Sequence, residues 1–255
     1  MIELKNISYA YPGQPPLLEN ITTAFADGKI TSILGPNGCG KSTLLKIICR
    51  LLTPSAGKIL LHGNDVHTMK TKAFAKEVAL LAQTNHPPEI TVEDLVAYGR
   101  YPHQKYGREL TKNDKEIIAQ AIKQVKATEY ANRYVNRLSG GQRQRAYIAM
   151  ALAQDTDIIF LDEPTTYLDI NIRFEIMELI RALNEAGKTI IMVLHDLNLA
   201  LEYSDHIILM NHGRIVNEGT PQQIITSGDI DQVFDISTHI FQENGETFYH
   251  FAKHM

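Results

Sequence analysis

A glycine-rich stretch early in the chain carries the residue types that bind phosphate. Residues 35–43 fit the spacing G-x-x-x-x-G-K-[ST]. Its glycines let backbone N–H groups turn inward toward an anion, while Lys41 reaches the outer phosphates and Ser42 offers a hydroxyl to Mg²⁺. We call this stretch the Gly35 loop and predict that it binds a nucleotide. The predicted contact residues are Gly35, Pro36, Asn37, Gly38, Cys39, Gly40, Lys41, Ser42 and Thr43.

The residues around the Gly35 loop fit that prediction. Residues 30–34 form an apolar run that is typical of a buried strand, and residues 43–52 have the apolar spacing of a helix with one buried face. A helix that begins directly after the loop adds partial positive charge at the phosphate position.

A second glycine-containing segment, residues 138–142, precedes a predicted helix at 143–154. We call it the Ser139 segment. It contains no lysine, but Ser139, Gly140 and Gly141 would expose backbone N–H groups at the helix N-terminus. As a spacing alone this indication is weak, because glycine pairs are common before helices.

Two adjacent carboxylates end the apolar run of residues 157–163. Partly burying two carboxylates costs free energy unless positive charge lies nearby, and a Mg²⁺ ion would supply that charge. Since neighbouring side chains at a strand end point to opposite sides, Asp162 can face the metal through a water while Glu163 faces an attacking water. A solvated acidic turn is the alternative. Asp169 opens the next predicted helix, residues 170–183, where an N-cap role alone would explain it.

Polar residues also lie at the ends of two other predicted strands. Gln83 ends the strand predicted at 76–83, and His195 follows the strand predicted at 188–194. Taken singly, a surface glutamine and a structural histidine are the more common explanations. Ligands of open parallel sheets gather at the carboxyl ends of the strands, however. We therefore expect Gly35, Gln83, Asp162 and His195 to converge on one edge.

An aromatic residue and two cysteines complete the candidates. Tyr11 ends an N-terminal strand and can stack on adenine, although plain packing is the more common explanation for a tyrosine at such a position. Cys39 and Cys49 are too far apart along the loop and helix for a disulfide, so we expect free thiols. We also expect Cys39, among inward-pointing N–H groups, to be more reactive than Cys49.

Composition narrows the class of protein. The 255 residues carry a formal charge of −4 with no block of like charges, which argues against general nucleic-acid binding. No apolar run exceeds eight residues, so we expect no membrane span and a cytoplasmic protein.

The rest of the chain fits an α/β protein. Alternating residues at 2–11 and 20–25 predict an N-terminal antiparallel sheet, and capping patterns at Thr91 and Thr111 predict helices between about 90 and 150. Hairpins are predicted at 205–217 and at 238–251 around the Asn244-Gly245 pair.

With these motifs in this order, the chain resembles the ATPases of ABC transporters over nearly its whole length. Within that family it resembles most the ATP-binding subunits of importers for iron chelates, haem and cobalamin. The residues that carry this narrower likeness are 96–103, 143–146 and 162–170. The resemblance implies one P-loop NTPase domain of the ABC ATPase fold over 1–255, with a mostly parallel core sheet, an antiparallel β subdomain, a helical subdomain near 90–150 and a C-terminal extension near 220–255.

The resemblance also implies residue roles. Tyr11 stacks on adenine, Gln83 contacts Mg²⁺ and water, Glu163 is the general base, and His195 contacts the γ phosphate of ATP. Asp162 and Ser42 bind the metal, and Asp169 belongs to the nucleotide site. The residues that contact the γ phosphate held by the opposite subunit are Ser139, Gly140, Gly141 and Gln142.

The implied partners follow from the two anion sites. Two copies meeting head to tail would place each Gly35 loop against the other copy's Ser139 segment, with ATP between them. The resemblance implies two transmembrane permease subunits, an indirect substrate-binding protein, no nucleic acid, and a peripheral position on the cytoplasmic face of the inner membrane. Iron(III)-siderophore is the first choice of cargo, and haem or cobalamin the alternative. A soluble ABC ATPase or a P-loop kinase fits less well, because only one phosphate loop and a Ser139 segment are present.

Overall fold

The structure is a computed structural model that describes residues 1–82, 86–104, 109–243 and 246–253. The described residues fall into two compact units. Met1–His67 and Met192–Met255 form the first unit, and Thr68–Ile191 form the second.

The described part of the chain contains strands and helices whose bounds are as follows. The strands are β1 (Ile2–Ala10), β2 (Pro16–Phe25), β3 (Ile30–Leu34), β4 (Ala56–Leu61), β5 (Asn64–Asp65), β6 (Val78–Leu81), β7 (Ile158–Asp162), β8 (Thr189–Val193), β9 (His206–Asn211), β10 (Arg214–Gly219), β11 (Ile236–Glu243) and β12 (Glu246–Lys253). The α-helices are α1 (Lys41–Ile48), α2 (Thr71–Glu77), α3 (Val92–Tyr98), α4 (Lys112–Gln124), α5 (Gly140–Ala153), α6 (Ile170–Glu185), α7 (Leu197–Tyr203), α8 (Pro221–Ser227) and α9 (Asp229–Phe234).

An antiparallel sheet in the order β2-β1-β4-β5 opens the first unit. Ile2 of β1 lies opposite both Phe25 of β2 and Leu61 of β4. All three side chains are buried. The predicted N-terminal antiparallel sheet is therefore confirmed, because the alternating residues of β1 have one apolar face to bury.

A parallel strand pair in the first unit holds the Gly35 loop. β3 pairs in parallel with β9, and β9 pairs antiparallel with β10. Every residue of β3 is buried, as a strand covered on both faces requires. The loop follows β3 directly and α1 begins at Lys41, so the predicted order of strand, loop and helix is confirmed.

In the second unit β6 and β7 pair in parallel, from Val78 opposite Ile158 to Leu81 opposite Leu161. The strand predicted for 76–83 is wrong at its start, because residues through Glu77 belong to α2. Buried Phe74 anchors that helix and leaves Lys76 exposed on its outer side.

Helices α3, α4 and α5 pack together in the second unit. The capping box predicted at Thr111 is present, and the hydroxyl of Thr91 accepts the N–H of Asp94 at 3.1 Å. After α3, a Cβ added at Gly99 would lie 2.3 Å from the carbonyl oxygen of Met150 in α5. Only glycine permits this close approach of backbone.

A buried ion pair braces the same helices. Arg100 Nε donates to Asp114 Oδ1 at 2.8 Å, and Arg100 Nη1 donates to the carbonyl of Ala153 at 2.8 Å. Both charged side chains are less than 10% exposed. The hydroxyl of Thr111 and the Arg100 guanidinium lower the pKa of Asp114 to about 2, against the opposing effect of burial.

The first unit ends in a hairpin of β11 and β12, with Glu243 opposite Glu246. The hairpin predicted around the Asn244-Gly245 pair is confirmed on both of its strands. The hairpin of β9 and β10 confirms the prediction for residues 205–217. None of the helices described is long and apolar enough to cross a membrane. The division into subdomains near 90–150 and 220–255 stays a prediction.

Candidate functional site: a phosphate loop and an acidic strand end

The Gly35 loop holds its lysine inside. Lys41 is 5% exposed, and its Nζ donates to the carbonyls of Gly35 at 2.7 Å and Pro36 at 3.0 Å. The loop is thus curled around an ammonium group at the N-terminus of α1, where the helix dipole adds positive potential. Such an arrangement is chemically suited to a polyphosphate.

Two of the loop glycines are required by close packing as well as by backbone geometry. Gly35 has φ 152°, and a Cβ there would lie 2.2 Å from the carbonyl oxygen of Met210. Gly40 has φ 104°, and its Cβ would lie 2.5 Å from Leu18 Cδ2. A side chain at either position would therefore push the loop off its neighbours.

The turn between β9 and β10, far along the sequence, contacts the Gly35 loop. The N–H of Gly213, in the turn between β9 and β10, donates to the carbonyl of Cys39 at 3.2 Å, and its own carbonyl accepts the N–H of Glu19 at 2.9 Å. A Cβ at Gly213 would lie 2.1 Å from the carbonyl oxygen of Leu17. Backbone hydrogen bonds therefore hold the loop on this side.

Tyr11 lies beside the phosphate loop. Its hydroxyl is 3.2 Å from Thr43 Oγ1, and its ring packs edge-on against Tyr9 with centroids 5.0 Å apart. The ring is half-buried, so one part packs and another remains accessible. Both the packing and the stacking explanation of Tyr11 are compatible with this position.

The expected reactivity of Cys39 is wrong. Cys39 is only 5% exposed, less than the 9% of Cys49. Burial raises the pKa of the Cys39 thiol, and the charge of Lys41 and nearby N–H groups oppose that effect only in part. Both cysteines are free, as predicted.

His195 lies beside the end of β3, the strand that the Gly35 loop follows. The N–H of Leu194 donates to the carbonyl of Ile33 at 3.3 Å, which places His195 beside the end of β3. The His195 side chain is exposed. Asp196, the next residue, instead caps α7 by accepting the N–H of Leu199 at 3.2 Å.

In the second unit, the Ser139 segment forms a reciprocal cap. Ser139 Oγ accepts the N–H of Gln142 at 3.3 Å, and Gln142 Oε1 accepts the N–H of Ser139 at 3.2 Å. The N–H groups of Gly140 and Gly141 come first in α5 and have no partner within the helix. A Cβ at Gly141 would meet Ile172 Cγ2 at 2.7 Å, so glycine also permits the contact with α6.

The two adjacent carboxylates occupy different environments at the end of β7. Asp162 is 7% exposed, whereas Glu163 is half-buried with φ 55°, a left-handed conformation that is uncommon for a residue with a side chain. Thr166 Oγ1 donates to Glu163 Oε2 at 3.1 Å. This threonine was not among the predicted residues, and the hydroxyl three positions after Glu163 was its only signal in the sequence.

A cavity of about 70 Å³ lies at this strand end. Asp162, Glu163 and Gly140 all line it, together with Arg143 and Tyr167. The structure therefore brings the acidic pair and Gly140 of the Ser139 segment to one small cavity. Strained backbone at such a place is typical of functional sites.

The remaining predicted residues are placed as follows. Asp169 stands at the N-cap position of α6 but makes no side-chain cap bond, so capping does not explain it. Gln83 lies outside the residues that the structure describes. Gly35 and His195 belong to the first unit and Asp162 to the second, and the convergence of all four strand ends stays a prediction.

Comparison with known proteins identifies the class to which this fold and site belong. A model of the ABC transporter family matches residues 18–166. The chain therefore belongs to the ABC transporter family, and the predicted ABC ATPase fold is confirmed. ATP binding is a property of this family, and membership supports ATP hydrolysis coupled to transport.

Individual relatives narrow the comparison. The chain is 46% identical to the iron(3+)-hydroxamate import ATP-binding protein FhuC of Bacillus subtilis (strain 168), over 89% of this chain and 86% of that protein. It is 45% identical to the ferric enterobactin transport ATP-binding protein FepC of Escherichia coli (strain K12), over 91% of this chain and 86% of that protein. A dimeric structure of a post-hydrolysis state of an ATP-binding cassette, bound to ADP and Pi, is 31% identical with a TM-score of 0.76 and covers 87% of this chain and 99% of that chain.

Proposed function

We propose that this chain is the ATP-binding and ATP-hydrolysing subunit of an ABC importer for iron(III)-siderophore complexes. The observation that carries the proposal is a complete phosphate loop, anion-binding helix start and acidic strand end in a chain 46% identical to an iron(3+)-hydroxamate import ATP-binding protein. The second relative, named for ferric enterobactin, supports the same class of cargo.

Nucleotide binding is assigned to the first unit. Lys41 turns from its loop carbonyls to the β and γ phosphates of ATP, and the N–H groups of the Gly35 loop contact the same phosphates. Tyr11 stacks on adenine, which its accessible ring and its hydrogen bond to Thr43 support. His195 contacts the γ phosphate from the end of β8.

Three of the predicted residues carry oxygen ligands that suit a magnesium ion. Mg²⁺ prefers oxygen ligands, and the hydroxyl of Ser42, the buried carboxylate of Asp162 and the amide of Gln83 supply them. When bound, the ion neutralises charge on the β and γ phosphates.

Hydrolysis is assigned to Glu163 as general base. Thr166 holds one carboxylate oxygen by a hydrogen bond at 3.1 Å, so the carboxylate is oriented before a substrate water arrives. Glu163 then takes the proton of the water that attacks the γ phosphate. Phosphoryl transfer depends mainly on positioning and charge stabilisation, which the phosphate loop and His195 provide.

The proposed working form is a homodimer. The Ser139 segment presents first-turn N–H groups of α5 but no lysine, so it completes a site rather than forming one. Two copies arranged head to tail bring Ser139 to Gln142, with Asp169 nearby, onto the ATP held by the opposite Gly35 loop. Closure then depends on ATP, and hydrolysis with phosphate release reopens the dimer.

The motion is transmitted to two transmembrane permease subunits, and through them to a substrate-binding protein. We propose docking through residues near 83–88 and through Tyr98 and Tyr101. These two rings stack with centroids 5.5 Å apart and are 47% and 63% exposed, whereas Val96 and Arg100 in the same segment are buried. The protein is then peripheral on the cytoplasmic face of the inner membrane and binds no nucleic acid.

The enzymatic part is tested with Glu163→Gln in the purified protein. We expect unchanged ATP affinity but turnover lowered at least about 100-fold, because the amide keeps the shape and cannot accept the proton. The variant should also accumulate as an ATP-bound dimer in gel filtration. Near-normal phosphate release would overturn the assignment of the base, and Glu185→Gln, at the far end of α6, serves as the control.

The cargo is tested in a strain that lacks the gene, by measuring uptake of iron–siderophore, haem and cobalamin separately. We expect loss of iron–siderophore uptake, restored by the wild-type gene but not by Glu163→Gln. A Tyr98→Asp variant should lose uptake and keep basal hydrolysis. Normal iron–siderophore uptake with loss of haem or cobalamin uptake would overturn the cargo but retain the importer.

A further inference from the structure

The C-terminal hairpin carries two histidines in direct opposition. β11 and β12 pair residue for residue, with His239 opposite His250 and Phe241 opposite Phe248. Residues directly opposite in an antiparallel pair share one face of the ribbon. The two imidazole rings indeed lie side by side, with centroids 6.0 Å apart and ring planes inclined by 38°.

At its base, the other face of the hairpin contacts α9. Thr238, one residue before His239, donates its N–H to Asp231 Oδ2 of α9 at 3.1 Å, and its hydroxyl donates to the same carboxylate. Since successive side chains of a strand alternate between faces, His239 points away from α9. Both histidines are exposed and accessible to a dissolved ion.

The spacing of the rings matches two ligands of one metal ion. With metal–nitrogen distances of about 2.0–2.1 Å and a ring radius of about 1.2 Å, two imidazoles on one ion have centroids roughly 5.3 Å apart at a tetrahedral angle and roughly 6.5 Å apart when opposed. The observed 6.0 Å lies within this range. Binding requires each ring to direct one nitrogen at a common point, which rotation about the side-chain torsions can provide.

We propose that His239 and His250 form a binding site for a divalent transition-metal ion of the class that prefers imidazole, such as Zn²⁺, Ni²⁺ or Cu²⁺. Within the described part of the chain there is no group of three or more His, Cys, Asp or Glu residues that could hold a metal. Among the described residues the proposed site has two protein ligands, and water completes the coordination.

Metal binding at this position would cross-link two strands. A two-stranded hairpin is marginally stable by itself, and a ligand that binds only the paired form stabilises it. The exposed side chains of Phe241 and Phe248, the next pair on the same face, would be held in register by the same ion. The stability of the pairing between β11 and β12 then depends on the concentration of the metal ion.

The test is isothermal titration of Zn²⁺ into the nucleotide-free, full-length protein, repeated with Ni²⁺. We expect one ion bound per chain, with the dissociation constant raised at least about tenfold in His239→Gln and in His250→Gln, because each removes one of two ligands. His67→Gln, at another exposed histidine, is the matched control and should bind as the wild type does. In NMR spectra, Ni²⁺ should broaden the ring signals of His239 and His250 before those of other histidines.

Both substituted side chains are exposed, so folding of the variants should be unaffected and is checked by circular dichroism. Unchanged zinc affinity in a His239→Gln, His250→Gln double variant would overturn the proposal, as would equal loss of binding in His67→Gln. Broadening that begins at histidines outside the hairpin would overturn it as well.

Discussion

The Gly35 loop and the Ser139 segment both precede a helix, but they obtain positive potential from different sources. The Gly35 loop encloses the ammonium group of Lys41 and adds the dipole of α1. The Ser139 segment contains no lysine and lies at the positive end of the dipole of α5, and its two polar side chains are engaged in capping that helix. We therefore expect the Gly35 loop to hold an anion by itself, and the Ser139 segment to add to a site formed elsewhere.

Because of that difference, the Ser139 segment depends more on the position of its helix, α5, than the Gly35 loop depends on α1. The far end of α5 is fixed by Arg100, which donates to the carbonyl of Ala153 and is itself held by Asp114. The Gly35 loop instead rests on backbone contacts with Met210 and Gly213. A substitution that weakens one of these supports should therefore affect the segment that it holds and leave the other segment unchanged.

The largest expected effect comes from Asp114→Asn, which leaves Arg100 buried without its carboxylate. Breaking a buried pair in this way should lower the free energy of unfolding by about 3–5 kcal/mol, measured by urea denaturation. Glu116→Gln, on the exposed side of the same helix, should cost less than about 0.5 kcal/mol. Equal effects of the two substitutions would show that the pair does not brace α5.

The same pair predicts an acid dependence. The pKa of Asp114 lies at about 2 in the folded protein, below its ordinary value, so the charged form is favoured by folding. Its contribution of about 2.5 kcal/mol is fully present above pH ~4 and is lost as the pH falls toward 2. Asp114→Asn should therefore flatten the decline of unfolding free energy in that interval.

Lys41→Ala should next show that the Gly35 loop depends on its own charge. Loss of charge-assisted hydrogen bonds worth about 3 kcal/mol lowers nucleotide affinity at least about 100-fold. The control is Lys46→Ala, which lies on the same helix outside the loop. Retained affinity in Lys41→Ala, measured by equilibrium dialysis, would contradict the role given to the enclosed ammonium group.

Ser139→Ala should have a smaller effect, and on hydrolysis rather than on affinity. We expect turnover reduced at least about tenfold, because one donor to the opposite nucleotide is lost and the helix start is weakened by about 1 kcal/mol. Thr220→Ala removes an equivalent cap with glutamine at the third position from α8 and provides the control for capping alone. Similar turnover in the two variants would show that Ser139 acts only as a helix cap.

Cys39 should show the smallest effect. Because burial raises the pKa of its thiol, little thiolate is present at pH 7.5, and alkylation in the folded protein should be less than about a tenth as fast as in the unfolded chain. The measurement uses Cys49→Ala, which leaves Cys39 as the single thiol. Rapid, ATP-sensitive labelling would mean that the loop is more open than its packing indicates.

Patterns confined to one stretch of sequence could be predicted well. The apolar run of β3, the glycine spacing after it and the pairing of β11 with β12 are local, because strand burial, loop curvature and hairpin pairing are each decided within a few residues. The Asn244-Gly245 pair itself lies outside the described residues. The capping box at Thr111 was predictable for the same reason.

Features that depend on distant packing could not be predicted. The burial of Cys39 follows from the contact of its loop with the turn at Gly213, and the burial of Arg100 follows from α4 and α5 closing around it. The first two residues of the strand predicted at 76–83 belong to the helix α2 instead, because buried Phe74 anchors that helix. In each case tertiary contacts overrode a local pattern.

The turn at Gly213 also has a consequence for synthesis of the protein. The phosphate loop is translated early, but its strand pairs with β9 and its Cys39 carbonyl bonds to Gly213. About 170 residues separate the loop from that turn, which at roughly 5–20 residues per second takes about 10–30 s of translation. A nascent chain that ends before this turn therefore lacks the backbone contact that supports the Gly35 loop, and that contact can form only while about the last sixth of the chain is being made.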